Sequence, residues 1–108
     1  MARNQLQPTK AQMRKIPVLY AQDGTADPVV HVRYFWGGRG AFYATECNPD
    51  TMTFFGYIVS NLGRDCDEFG YVSLKELEGI KAGSGLICER DQYFTPKPMS
   101  EARKQYGQ

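Results

Sequence analysis

The sequence predicts an α+β domain: a mainly antiparallel sheet of about four strands in a meander, with a helix packed on one face. Two patterns carry this expectation. Four segments between Val29 and Val72 are dense in β-branched and aromatic residues, and Gly, Pro, Asn or Asp separates each from the next. A Ser-x-x-Glu box at residues 73–76 then opens a stretch whose apolar residues recur at helical spacing. The length of 108 residues, 42% of them hydrophobic, suits one domain that folds without a disulfide staple.

Taken in order, Thr9 and Gln12 have capping-box spacing and predict a short helix that ends before Pro17. Residues 22–28 are a loop of turn formers. Residues 29–36 read as the first strand, Gly37-Gly38-Arg39-Gly40 as a flexible reversal and residues 41–47 as the second strand. After the turn Asn48-Pro49-Asp50, residues 53–60 form the third strand, and residues 68–72 return as a short fourth. Ser73 caps a helix over residues 74–80, with Leu74, Leu77 and Ile80 on the face that packs on the sheet. Ala82-Gly83-Ser84-Gly85 breaks that helix, and Leu86-Ile87-Cys88 is a short apolar segment. The charged run Glu89-Arg90-Asp91 is expected to fix a terminal segment by ion pairing. Tyr93 to Pro98 runs extended, and the last ten residues are helical or frayed. The expected organisation is one domain over 1–108 with its core in 16–101.

The formal net charge of +1 singles out no partner class, since it suits neither a strongly basic nucleic-acid binder nor an acidic DNA mimic. Charge is unevenly placed, however: residues 46–91 hold nine acidic and four basic side chains, and both flanks are basic. Ion pairing between flanks and middle is the plain explanation, and an acidic docking face is the sharper one. No apolar run approaches membrane-spanning length. The odd, widely spaced Cys47, Cys66 and Cys88 fit reduced thiols, so a cytoplasmic location is expected.

Chemistry-bearing residues are sparse. His31 is the only histidine, and a Cys47–His31 pair across the first hairpin is the one nucleophile–base arrangement available. Buried cysteines are usually inert, so no catalytic residue is assigned. The cysteines lack chelating spacing and Asp65-x-Asp67-Glu68 lacks the ligand ladder of a calcium loop, so neither metal nor cofactor is expected. The fourteen aromatics stand out instead. Adjacent pairs such as Phe42-Tyr43 and Phe54-Phe55 must point to opposite faces of the sheet. One face takes the helix; the other is covered by terminal segments or left open as a binding surface. The candidate surface comprises Trp36, Arg39, Tyr43, Tyr57, Asp65, Asp67 and Glu68.

The runs Phe42-Tyr43-Ala44-Thr45-Glu46, Phe54-Phe55-Gly56-Tyr57, Gly70-Tyr71-Val72-Ser73-Leu74 followed by Glu76-Leu77-Glu78, and Glu89-Arg90-Asp91 followed by Tyr93-Phe94 resemble a small bacterial family of domains of unknown function. The likeness covers residues 16–101. The chain departs from the family pattern at Leu86-Ile87-Cys88, where a proline is usual, and in its short glycine-rich first hairpin. The resemblance implies an accessory protein of plasmids, phages or integrated elements, and it brings no catalytic residues. The expected function is therefore non-enzymatic protein–protein binding on behalf of a mobile element, with inhibition of a host defence system as one form. The alternative is a nucleic-acid-binding module that uses sheet aromatics with Arg33 and Arg39. A small hydrolase is the weaker alternative.

Overall fold

A computed structural model describes residues 6–80 and 87–108. Four antiparallel strands form the expected meander: β2 (Val32–Phe35), β3 (Ala41–Asn48), β4 (Thr53–Val59) and β5 (Glu68–Ser73). A fifth strand, β6 (Glu89–Arg90), joins the free side of β2, and the sheet order is β5-β4-β3-β2-β6. The expected first strand is interrupted at His31. Its leading pair, β1 (Val29–Val30), leaves the sheet and pairs antiparallel with β7 (Lys97–Pro98). A separate two-stranded ribbon results where one long strand was expected.

Helix α1 (Lys10–Lys15) and helix α2 (Leu74–Glu78) each begin at the predicted capping box. In α2 the Glu76 N–H donates to Ser73 Oγ (3.0 Å) and the Ser73 N–H donates to Glu76 Oε1 (2.9 Å). The helix stops at Glu78, with Gly79 as its C-cap. The expected break at Ala82 to Gly85 and the family departure at Leu86 lie outside the described residues. Leu77 is fully buried, and Leu74 and Ile80 pack against the same cluster. This cluster contains Val32, Tyr34, Phe42 and Phe54, and the Phe54 ring meets Tyr34 and Phe42 edge-on.

Helix α3 (Met99–Gln105) covers part of the opposite face. Its Met99 and Ala102 bury Val30, Ala41, Tyr43 and Val59. Pro98 offers no side-chain cap, and Asp27 supplies one from a distant loop: its carboxylate accepts the Ser100 N–H (2.9 Å) and hydroxyl (2.6 Å). The terminal segment is further anchored through Asp91, as the charge pattern predicted. Arg33 on β2 is paired to Asp91 (3.2 Å), and the Tyr106 hydroxyl donates to the same carboxylate (2.8 Å). Among the described residues no helix is long and apolar enough to cross a membrane.

Candidate functional site

A row of four aromatic side chains runs from the edge of the α3 cluster, where Tyr57 packs, to the β5 end of the same face, where Phe69 and Tyr71 are exposed. Phe55 and Tyr57 on β4 lie beside Phe69 and Tyr71 on β5, because the registers Phe55↔Tyr71 and Tyr57↔Phe69 place all four on one side of the sheet. Phe55 stacks on Phe69 (centroids 5.9 Å apart) and touches Tyr71 (5.0 Å), while Tyr57 meets Phe69 edge-on (5.0 Å). Phe69 and Tyr71 are about half exposed, at 48% and 51%. Contiguous aromatic surface of this kind marks a recognition site more often than a solvated face.

A carboxylate enters this face through an irregularity in β3. Strict alternation from Phe42 and Ala44 would send Glu46 into the helix-covered core. A bulge between Ala44 and Glu46 inserts Thr45 and shifts the phase, so that Cys47 enters the core opposite Phe54 and Glu46 lies opposite Phe55. Gly56 makes the bulge possible, since a Cβ there would come within 2.0 Å of the Tyr43 carbonyl oxygen. Glu46 is 4% exposed and accepts the N–H groups of Tyr20 (2.7 Å) and Gln22 (2.8 Å). Gln22 ties the same loop down by donating to the Val29 and Thr45 carbonyls and accepting the Val29 N–H. Tyr20 has φ +73°, a left-handed conformation costly for a bulky residue, and the two Glu46-bound amides hold it there. The result is a cleft of about 360 Å³ between this loop and the sheet, walled by Tyr20, Phe55, Phe69 and Tyr71, with Glu46 and Asp23 among its polar lining. The Tyr71 hydroxyl is pushed above its ordinary pKa, first by its hydrogen bond with Tyr20 and then by burial and the nearby Glu46 and Asp23 charges.

Of the residues expected at a binding surface, only Tyr57 belongs to the aromatic row, and the Arg103 guanidinium lies 4.1 Å from its ring centre. Tyr43 is fully buried under α3, which corrects its assignment to an open surface. Trp36 lies on the opposite, helix-covered side and packs over Gly40, where a Cβ would come within 1.8 Å of the indole nitrogen. Arg39 and Asp67 are engaged with each other, at 2.7 and 2.5 Å, and both also bind the Ser60 backbone. Hydrogen bonding from Arg39 holds the Asp67 carboxyl down at about 2. Asp65 is exposed on a single 3-10 turn, Arg64–Cys66, and Glu68 is exposed at the start of β5. Arg33, offered for nucleic-acid contact, is 9% exposed. Its guanidinium carbon lies 3.6 Å from the Tyr106 ring centre.

Sequence reading missed Glu46, Phe69, Tyr71 and Tyr20. The alternation of 55 with 57 and 69 with 71 was a usable signal for the aromatic row. The bulge that redirects Glu46 left one mark, the isolated Gly56 inside the facing strand, which does not by itself say which residue is redirected.

The nucleophile–base candidates do not form a site either. Cys47 is buried in the core, where desolvation pushes its thiol up to about 11. Burial lowers the His31 pKa, with Lys15 contributing, and its Nδ1 has no hydrogen-bond partner among the described residues. No group of three or more metal-ligating side chains occurs among the described residues.

Neither a curated protein nor a solved structure matches the chain. The model of the family described as protein of unknown function (DUF2958) matches residues 2–105. That match spans nearly all of the sequence, strands, helices and aromatic cleft alike, and the chain belongs to this family.

Proposed function

We propose that this protein is a non-enzymatic binding module whose partner is another protein, and that the aromatic row of β4 and β5 is the contact surface. The observation that carries this reading is the half-exposed pair Phe69 and Tyr71 on an edge strand, backed by Phe55 and bordered by acidic side chains. Interfaces favour aromatic anchors at their centres and polar residues at their rims. Among the described residues Cys47, Cys66, Cys88 and His31 are dispersed between core and surface rather than gathered beside the carboxylates of the cleft, which favours binding over catalysis. The nucleic-acid alternative is weaker, because Arg33 and Arg39 are committed to Asp91 and Asp67 and the open cleft presents carboxylates. Action on behalf of a mobile element, inhibition of a host defence system included, is the biological setting that the family resemblance suggests. A reducing cytoplasm is the compartment proposed from the widely spaced cysteines.

The test is co-purification from the native host with the wild-type chain and with Phe69→Ala/Tyr71→Ala, followed by rebinding of each purified captured protein. A partner that rebinds the wild-type chain and not the variant supports the reading. Equal rebinding to both would remove the aromatic row from the interface.

A further inference from the structure

The sheet face that carries the cleft holds two constellations of the same chemistry: one contains Arg33, whereas no Lys, Arg or His lines the cleft, the neighbouring Arg103 lying on the Tyr57 ring instead. Beneath α3, the Arg33 guanidinium is surrounded by the Phe35, Tyr43 and Tyr106 rings, with centre distances of 5.3, 5.5 and 3.6 Å, and is paired to Asp91. At the other end of the face, the cleft combines Phe55, Phe69, Tyr71 and Tyr20 with the buried carboxylate of Glu46. No lysine, arginine or histidine among the described residues forms an ion pair with Glu46. Its two hydrogen bonds come from the neutral backbone amides of Tyr20 and Gln22. A carboxylate has roughly four acceptor positions, which leaves capacity for a further donor.

We propose that this cleft receives the guanidinium of an arginine side chain carried by a protein partner. The proposal rests on the protein-binding reading and names the chemistry of the contact. Aromatic faces attract cations through their quadrupoles, and the attraction is stronger where water is excluded. A guanidinium suits such walls better than an ammonium, because it is planar, stacks on rings and sheds its weaker hydration more readily. Glu46 and Asp23 supply the opposite charge, and the loop that carries Tyr20 and Asp23 is already pinned by Glu46 and Gln22, so little ordering is left to binding. An exposed edge strand beside the cleft gives a peptide room to approach.

The experiment titrates the full chain, with labelled phenylalanine and tyrosine rings, with acetyl-Gly-Arg-Gly-amide, its lysine and citrulline analogues, and argininamide. The expected result is saturable shifts at Phe69 and Tyr71, with the neutral citrulline peptide weaker by about tenfold or more, lysine intermediate, and argininamide no tighter than the peptide. Tyr71→Ala should weaken arginine binding while leaving the amide spectrum folded. Glu46→Gln should do the same, but it also touches the loop, so the exposed Tyr71 variant decides. Citrulline binding equal to arginine, shifts mapping elsewhere, or no saturable shift would overturn the arginine assignment. Tighter binding of argininamide than of the peptide would overturn the protein source. If any of these is seen while a captured protein still depends on Phe69 and Tyr71, the arginine assignment fails alone. If that dependence is absent too, the protein-binding reading falls with it.

Discussion

Single residues decide where charge and ring surface end up in this molecule. Gly56 is one of them, because the backbone of β3 occupies the space its side chain would need. Gly56→Ala should destabilise the fold by about 1–3 kcal/mol through overpacking against Tyr43 and Ala44. It should also disturb Glu46, which the bulge directs into the cleft; a lower urea midpoint together with shifted Phe55 and Tyr71 resonances is the expected readout. Asp67 illustrates a different control. Its carboxyl is held at about 2 against an ordinary 3.8, so the folded state binds its proton less readily than the unfolded chain does. Its contribution to stability is therefore present above about pH 4 and is lost as pH falls toward 2. Melting curves between pH 5 and pH 2, run at about those limits, should fall less steeply for Asp67→Asn than for the wild-type chain; parallel curves would show that Arg39 does not hold this carboxylate. Arg39 read as an exposed turn residue in the sequence because its partner lies 28 positions away, beyond any local pattern.

At the scale of elements, legibility followed the range of the interaction that defines each one. Both capping boxes were readable because cap and partner are three residues apart. Ser73→Ala should cost about 1 kcal/mol in unfolding free energy by stripping the Glu76 N–H of its acceptor, and an unchanged midpoint would show that α2 contributes no independent stability. The four strands of the meander were readable from β-branched and aromatic runs between turn formers. Strand β6 and the β1–β7 ribbon were not, since two-residue strands carry no periodicity and exist only through pairing with distant segments. The cap of α3 was hidden likewise, because Asp27 is 73 positions from Ser100. The docking of the C-terminal segment depends on Asp91, and its removal leaves a buried guanidinium without its counter-charge. Asp91→Ala should lower the unfolding free energy by about 3–5 kcal/mol, and a loss no larger than that of an exposed ion pair would show that the Tyr106 ring alone satisfies Arg33.

Across the whole molecule, the two sheet faces have different fates, and the difference bears on what the protein can bind. One face is closed by α2 and the cluster around Tyr34, Phe42 and Phe54, while α3 closes only part of the other. Composition alone offered a covered face or an open one, and the fold uses both on the same side of the sheet. A net charge of +1 hides this arrangement, because Arg33 and Arg39 are spent on internal carboxylates while Glu46 and Asp23 border the open cleft. Phosphate backbones are bound through released counterions, which requires several uncommitted cations along one surface. Aromatic stacking can hold single-stranded bases, but beside carboxylates it lacks that electrostatic support. Labelled single- and double-stranded oligonucleotides should therefore show no micromolar binding at ~150 mM salt by fluorescence anisotropy, and any binding at low salt should disappear as salt rises. Micromolar affinity that survives ~150 mM salt and is lost in Phe69→Ala/Tyr71→Ala would reassign the aromatic row to nucleic acid.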